Sequence, residues 1–292
     1  MVYVMEMENS GLSRLLKLTQ RKQYVNGKPM SQVHGCILQA TKGIVSTTSL
    51  VRDGVSSLSR FSAVCDDERT ATNPQGEQIA TIPILDIDKL LGILSMHSTS
   101  VTLRYDGGKG KLQIKSGKKQ TTIVTGGEGR AFTNSPTTLN DWEENSRKRA
   151  TQIRQTGYYM NPPHDEVRKP FATWIIESND LYEALRCDSI NGQRLNRYTF
   201  TAKDKVLSVA VGAEIKGRTE IQLGNVSENE GDWEATFEGG LDNVFVHYTG
   251  KVILDFLDFR PEGQGIRMIA RLPTASSSSY KEQDFVLQAG LI

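Results

Sequence analysis

Side-chain catalysis needs a nucleophile beside a base, a pair of carboxylates, or a metal-ligand set at defined spacing, and this sequence supplies none of them convincingly. The histidines His34, His97, His164 and His247 are scattered, and none sits at ligand spacing from another His or a Cys. Each reads as a satisfied surface or core histidine. Gly107-Gly108-Lys109-Gly110 and Gly126-Gly127-Glu128-Gly129 lack the Gly-Lys-Ser/Thr ending of a phosphate loop, and the first falls between two strand patterns, as a hairpin turn would. Asp86 with Asp88, and Asp66 with Asp67, are neighbours of the kind that cap helix starts. A Gly-x-Ser-x-Gly nucleophile motif is absent. The chemistry that remains is electrostatic: Arg14, Lys17 and Arg21 recur at helical spacing and form a basic stripe suited to phosphate oxygens, with an ordinary solvated helix face as the plain alternative.

Four short amphipathic helices position these charges. The spacing predicts the first over Ser10 to Lys22, with Leu12, Leu15, Leu16 and Thr19 on the face opposite the stripe. A second runs from about Asp86 to Leu94 on Ile87, Leu90, Leu91 and Leu94. A third follows a cap at Ser178 or Asn179, with Leu181, Ala184 and Leu185 apolar. A fourth starts near Leu241, uses Val244, Phe245 and Tyr248, and is stopped by Gly250. Lys89, Arg186, His247 and Lys251 lie off or at the ends of the later apolar stripes. Each helix precedes strand patterns: His34 to Gln39 with Gly43 to Thr48, Val101 to Tyr105 with Lys111 to Lys115, Arg197 to Ala202 with Lys205 to Val211, and Val252 to Leu257 with Ile266 to Arg271. The chain therefore reads as α+β, with four copies of strand, helix and antiparallel strands.

At 292 residues the length suggests one large or two medium domains. Residues 126–170, roughly 45 of them with Gly126-Gly127, Pro136, Pro162-Pro163 and a charged cluster from Asp141 to Arg149, read as a connector between domains at 1–125 and 171–292. The charged cluster itself suits a short solvated helix. The cysteines Cys36, Cys65 and Cys187 are odd in number and widely spaced, which excludes a disulfide framework or a cysteine-rich zinc site and points to a reducing compartment. Met1 to Met7 has no basic segment and no apolar run approaches membrane-spanning length, so an intracellular protein with no membrane partner is expected. With 35 Lys+Arg against 34 Asp+Glu, the whole surface cannot coat nucleic acid, although one basic face can still do so.

Four such repeats in two domains resemble the DNA sliding clamps, the ring-shaped polymerase processivity factors of the proliferating-cell-nuclear-antigen type found in eukaryotes, archaea and some viruses. Gly43-Ile44-Val45-Ser46 through Val55-Ser56-Ser57-Leu58 is similar to the clamp's second-strand region and the loop after it. Tyr198 to Leu207 is similar to the matching hairpin of the second domain, where clamps often carry an Ala-Lys-Asp-Gly turn and this chain has Ala202-Lys203-Asp204-Lys205. The likeness covers nearly the whole chain except the connector. That connector is longer than the family's usual loop, and Phe285 to Ile292 lacks the acidic tail of cellular members, in keeping with a divergent viral or archaeal member.

The resemblance implies a head-to-tail homotrimeric ring whose helices line a central hole. It implies no catalytic residue, metal or cofactor, and as partners double-stranded DNA, a DNA polymerase and a clamp loader, in a prokaryotic or virus-infected cytoplasm or a nucleus. The hole-facing candidates are Arg14, Lys17 and Arg21, then Lys22, Lys89, Arg186 and Lys251. Ring closure is expected to pair the strand Lys111-Leu112-Gln113-Ile114-Lys115 with the neighbour's Arg218 to Leu223, including Glu220 and Gln222. Partner peptides are expected at Val51, Val55, Tyr158, Tyr159, Val286 and Ala289, although plain core packing suits these apolar residues equally well. A structural or assembly protein of duplicated α+β domains without DNA is the main alternative, and an enzyme with a site scattered across strands the weaker one.

Overall fold

A computed structural model of the protein describes residues 2–20, 22–25, 28–31, 33, 35–41, 44–50, 57–64, 80–125, 159–161, 166–190, 197–213, 217–225, 228–229, 231–238, 241–246, 248–263, 265–273 and 284–289. The chain begins β1 (Val2–Glu8), α1 (Asn9–Gln20), β2 (Lys22–Val25), β3 (Lys28–Ser31), β4 (Gly35–Thr41), β5 (Ile44–Leu50) and β6 (Ser57–Val64). It continues with β7 (Ala80–Ile84), α2 (Ile87–Leu94), β8 (Ser100–Asp106), β9 (Lys111–Ser116) and β10 (Lys119–Val124). Then follow β11 (Tyr159–Asn161), β12 (Glu166–Arg168), β13 (Ala172–Glu177), α3 (Ser178–Ile190), β14 (Arg197–Lys203), β15 (Val206–Ala213) and β16 (Gly217–Asn225). The last elements are β17 (Glu228–Asn229), β18 (Trp233–Glu238), α4 (Asp242–Phe245), β19 (Lys251–Asp258), a 3-10 turn (Arg260–Glu262), β20 (Ile266–Leu272) and β21 (Asp284–Ala289).

Two compact units result, one from residues 1–20, 33–51 and 59–146, the other from 21–32, 52–58 and 147–292. In the first, β1, β8, β9 and β10 lie side by side, antiparallel throughout, as do β6, β5, β4 and β7. The second repeats that order, with β13, β19, β20 and β21 in one set and β16, β15, β14 and β18 in the other; short β17 is added beside β13. Each quarter of the chain is thus a strand, a helix and three antiparallel strands. The sequence pattern shows two of those three strands in each quarter. Strand β10 escapes it because Lys-Gln-Thr-Thr-Ile-Val has no apolar alternation and buries only Ile123.

Alternation decides which face of each sheet is covered. In β1, Tyr3, Met5 and Met7 are buried while Val2, Val4, Glu6 and Glu8 are exposed. The second unit's core is aromatic: Trp174, Phe200, Trp233, Phe237 and Phe256 meet edge-on or tilted, the Trp233 and Phe256 centroids 4.5 Å apart. Behind that layer Asp255 is fully buried between the Arg271 Nε at 2.5 Å and the Thr173 hydroxyl at 2.9 Å.

Helix limits differ from the periodicity in two places. The first helix ends at Gln20, two residues early, because the Gln20 carbonyl accepts from the Val33 N–H at 3.0 Å and the chain enters β2 at Lys22. The fourth is a single turn, Asp242–Phe245, after which the Tyr248 N–H bonds back to the Phe245 carbonyl at 3.2 Å and its hydroxyl donates to the Pro273 carbonyl at 2.5 Å. Most of the expected connector, residues 126–158 and 162–165, lies outside the described residues; its described remainder forms the β11–β12 hairpin. Among the described residues no helix is long and apolar enough to cross a membrane, and no cluster of His, Cys, Asp and Glu is placed to hold a metal ion.

Candidate nucleic-acid interface

Helix α1 buries Leu12, Leu15, Leu16 and Leu18 and turns Ser10, Arg14 and Lys17 outward, one stripe at i, i+4, i+7. It carries no acidic residue. Its seat is specific: the buried Thr19 hydroxyl donates to the Leu15 carbonyl at 2.8 Å and lies 2.6 Å from the Thr47 hydroxyl of β5. A polar pair inside an apolar interface penalises any sliding of the helix along the sheet, because each hydroxyl would lose its partner.

Both ends of α1 are tied to α2. The Asn9 side-chain amide donates to the carbonyls of Leu94 at 2.8 Å, His97 at 3.2 Å and Ser98 at 3.2 Å, satisfying groups that a helix C-terminus leaves open. At the other end the Gln20 amide donates to Asp88 at 2.5 Å. The two helices therefore run antiparallel, and Lys89, exposed on α2 beside Asp88, belongs to the Lys17 end of α1. Asp86 caps α2 by accepting from the Lys89 N–H at 2.8 Å, the role its position suggests.

The second unit repeats the frame at one shared bond. The Asn9 N–H donates to Thr99 just before β8, at 2.8 Å; the Ser178 N–H donates to Gly250 just before β19, at 2.9 Å. Here α3 packs beside α4, and among the side chains described its exposed residues are Asn179, Asp180, Glu183 and Arg186. Arg186 pairs with Glu183 at 3.2 Å and lies over the Tyr182 ring at 5.7 Å.

Four basic candidates thus stand on helix faces: Arg14, Lys17, Lys89 and Arg186. Two others do not. Lys22 is exposed on β2, beyond the end of α1, and Lys251 is the first residue of β19, opposite Glu177, because the fourth helix stops at Phe245. Arg21 lies outside the described residues, as do Val51, Val55 and Tyr158. Tyr159 is placed in β11 opposite Arg168, and in β21 Val286 faces Ala270 and Ala289 faces Arg267 in register.

The expected intersubunit strand is corrected. Lys111 to Lys115 belongs to β9, which is bonded to β8 on one side and β10 on the other, so its backbone has no open edge. The strand at the margin is β10, which has no partner on its far side among the described residues. Because the Thr125 N–H donates back to Gly110 at 2.8 Å, antiparallel alternation turns the N–H groups of Gln120, Thr122 and Val124 toward that margin. Strand β16, with Arg218, Glu220 and Gln222 exposed, is likewise at the margin of its set.

The other candidates for chemistry are occupied structurally. His97 is held by the Ser116 hydroxyl at 2.8 Å and the Thr121 hydroxyl at 3.2 Å. Cys36 is buried, which pushes its thiol up far out of the reactive range, and Cys187 is a second free thiol on α3. Gly107 to Gly110 form the β8–β9 turn. His34, His164, His247, Cys65, Asp66, Asp67 and Gly126 to Gly129 lie outside the described residues.

No family model matches the chain, and no curated protein matches it in sequence. Solved structures do. A PCNA of A. fulgidus, solved with the C-terminal region of FEN-1 bound, superposes with a TM-score of 0.58 at 12% identity over 99% of this chain and 98% of its own. The PCNA of Thermococcus kodakaraensis gives 0.59 at 10% identity, over 99% and 100%. An agreement that spans both chains at so little identity rests on the order of strands and helices, and by that order this chain has the α+β fold of a PCNA-like sliding clamp.

Proposed function

We propose that the protein is a DNA sliding clamp: a non-enzymatic ring that encircles duplex DNA and tethers a DNA polymerase for processive replication, placed on DNA by a clamp loader. The observation that carries this reading is the outward stripe of Arg14 and Lys17 on an acid-free helix, held in register by buried hydroxyls and end clasps within a PCNA-like fold. Side chains of this kind attract phosphates without reading bases, so a ring lined with them slides, and retention comes from topology.

Three copies close the ring head to tail through the open edge of β10 and the open edge of β16 of the neighbour, a heterologous contact that ends in closure after three rotations. Exposed Lys119 on β10 and Glu220 on β16 supply charges of opposite sign to this junction. Partner peptides dock beside the β11–β12 hairpin and β21, around Tyr159, Val286 and Ala289, together with Val51, Val55 and Tyr158. The C-terminal end of that hairpin is fastened: Arg168 donates to the Asp258 carbonyl at 2.7 Å, pairs with Glu262, and stacks 4.3 Å from the Phe259 ring centroid.

Light scattering on a gel-filtration peak tests the ring, with about three times the 32.4 kDa chain mass expected. A monomer that persists at the highest attainable concentration overturns it. Retention on nicked circular DNA, after loading, followed by loss on linearisation tests encirclement.

A further inference from the structure

The two helix pairs differ in charge. In the first unit the exposed helix residues include Arg14, Lys17 and Lys89, and the one acid among them, Asp88, accepts from the Gln20 amide. In the second, α3 exposes Asp180 and Glu183 against one cation, Arg186, which Glu183 already engages at 3.2 Å. Helix α4 adds Asp242, half-buried, which accepts from the Tyr198 hydroxyl at 3.3 Å, and Val246 stands exposed just past its end. Among the described residues the first unit's helix surface is cationic and the second's is anionic, although the backbone frame is the same.

We infer that the duplex phosphates are held by α1 alone, with Lys89 at its Lys17 end, while α3 stands off from the DNA; Arg186 serves the helix surface and makes no phosphate contact. This rests on the clamp reading above and divides its work between the two halves of the chain. The physical reason is that a phosphate approaching Arg186 meets Glu183 on the same turn and Asp180 one turn earlier. The attraction of one guanidinium is cancelled at the distances over which exposed charges act, roughly 8 Å at physiological salt. At Arg14 and Lys17 the two cations reinforce each other across one turn with no acid within the helix; the flanking acids are engaged, Glu8 by the Ser10 hydroxyl at 3.2 Å and Asp86 by the Lys89 N–H at 2.8 Å. Each chain then brings one attractive and one repulsive helix surface, and the first supplies the phosphate contacts.

The probe is a fluorescein-labelled 30-base-pair duplex, followed by anisotropy from low to physiological salt with the full-length protein. Arg14→Ala/Lys17→Ala is expected to weaken association at least tenfold at low salt and to flatten the log K against log salt slope by about 0.9 for each phosphate that is no longer neutralised. Arg186→Ala should stay within twofold of the unaltered protein, and Asp180→Asn/Glu183→Gln should hold or tighten the complex. Circular dichroism and light scattering confirm fold and assembly for each variant, all of whose altered side chains are exposed. A loss with Arg186→Ala equal to that of the double α1 variant, or a weaker complex with the neutralised acids, overturns the division of labour and leaves the clamp reading standing. Absence of any salt-dependent association by the unaltered protein overturns this inference, which needs an attractive face on α1, while the clamp reading stands or falls on retention on nicked circular DNA after loading.

Discussion

Asp255 shows how individual residues hold the second unit together. It is buried on β19, with Arg271 on β20 and Thr173 on β13 as its partners. Removing Arg271 would leave a carboxylate in the sheet without its counter-charge, and Arg271→Ala is expected to cost about 3 kcal/mol in urea unfolding. The double change Asp255→Leu/Arg271→Met, which removes both charges at similar volume, should recover most of that loss. A single variant as stable as the parent would show that the pair carries no weight. Nearer the surface, hydrogen bonding from Arg168 holds the Glu262 carboxyl below its usual value of 4.5, and hydrogen bonding from Arg260 does the same for Asp258, usually 3.8. Unfolding then takes up protons, so the stability from these pairs is complete above about pH 4.5 and is lost as the pH falls through the lower folded values. The urea midpoint should fall between pH 5 and pH 3, and Arg168→Gln should shallow that fall; identical profiles would remove the pair from the account.

Among the elements, the β14–β15 hairpin carries strain that its sequence discloses. Asp204 and Lys205 both have positive φ, 51° and 65°, in the two-residue turn between Lys203 and Val206. Glycine takes that conformation freely and lysine does not, and the resembling clamps often have Gly where this chain has Lys205. Lys205→Gly should therefore stabilise the protein by about 0.5–1 kcal/mol, read as a higher Tm; a lower Tm would mean that the lysine side chain contributes more than the strain costs. The element hardest to see in advance is β10. Edge strands with one covered face need little apolar sequence, so Lys119 to Val124 carries no alternation, and the edge role falls naturally but wrongly to β9. Helix α1 is the opposite case. Its buried Leu12, Leu15, Leu16 and Thr19 and its two outward cations follow from spacing alone, while buried Leu18 does not.

For the whole molecule, the ring closure proposed above would depend on backbone groups that point out of β10. Thr122→Pro removes one outward N–H and leaves the bonds to β9 intact, since those come from the alternate residues. It should yield a folded monomer, with circular dichroism unchanged and the light-scattering mass reduced to that of one chain. A trimer that survives the change would place the junction elsewhere.

Repetition, helix faces and the cap at Asp86 were determined by the sequence alone, because each depends on spacing within one element or on the order in which elements recur. The tertiary structure decided what spacing cannot carry. It put the open edge on β10, moved Lys22 and Lys251 onto strands, and joined Asn9 to Leu94 and Gln20 to Asp88 across the α1–α2 pair. Such outcomes depend on which distant residues meet when the sheets form, and local periodicity contains no record of that.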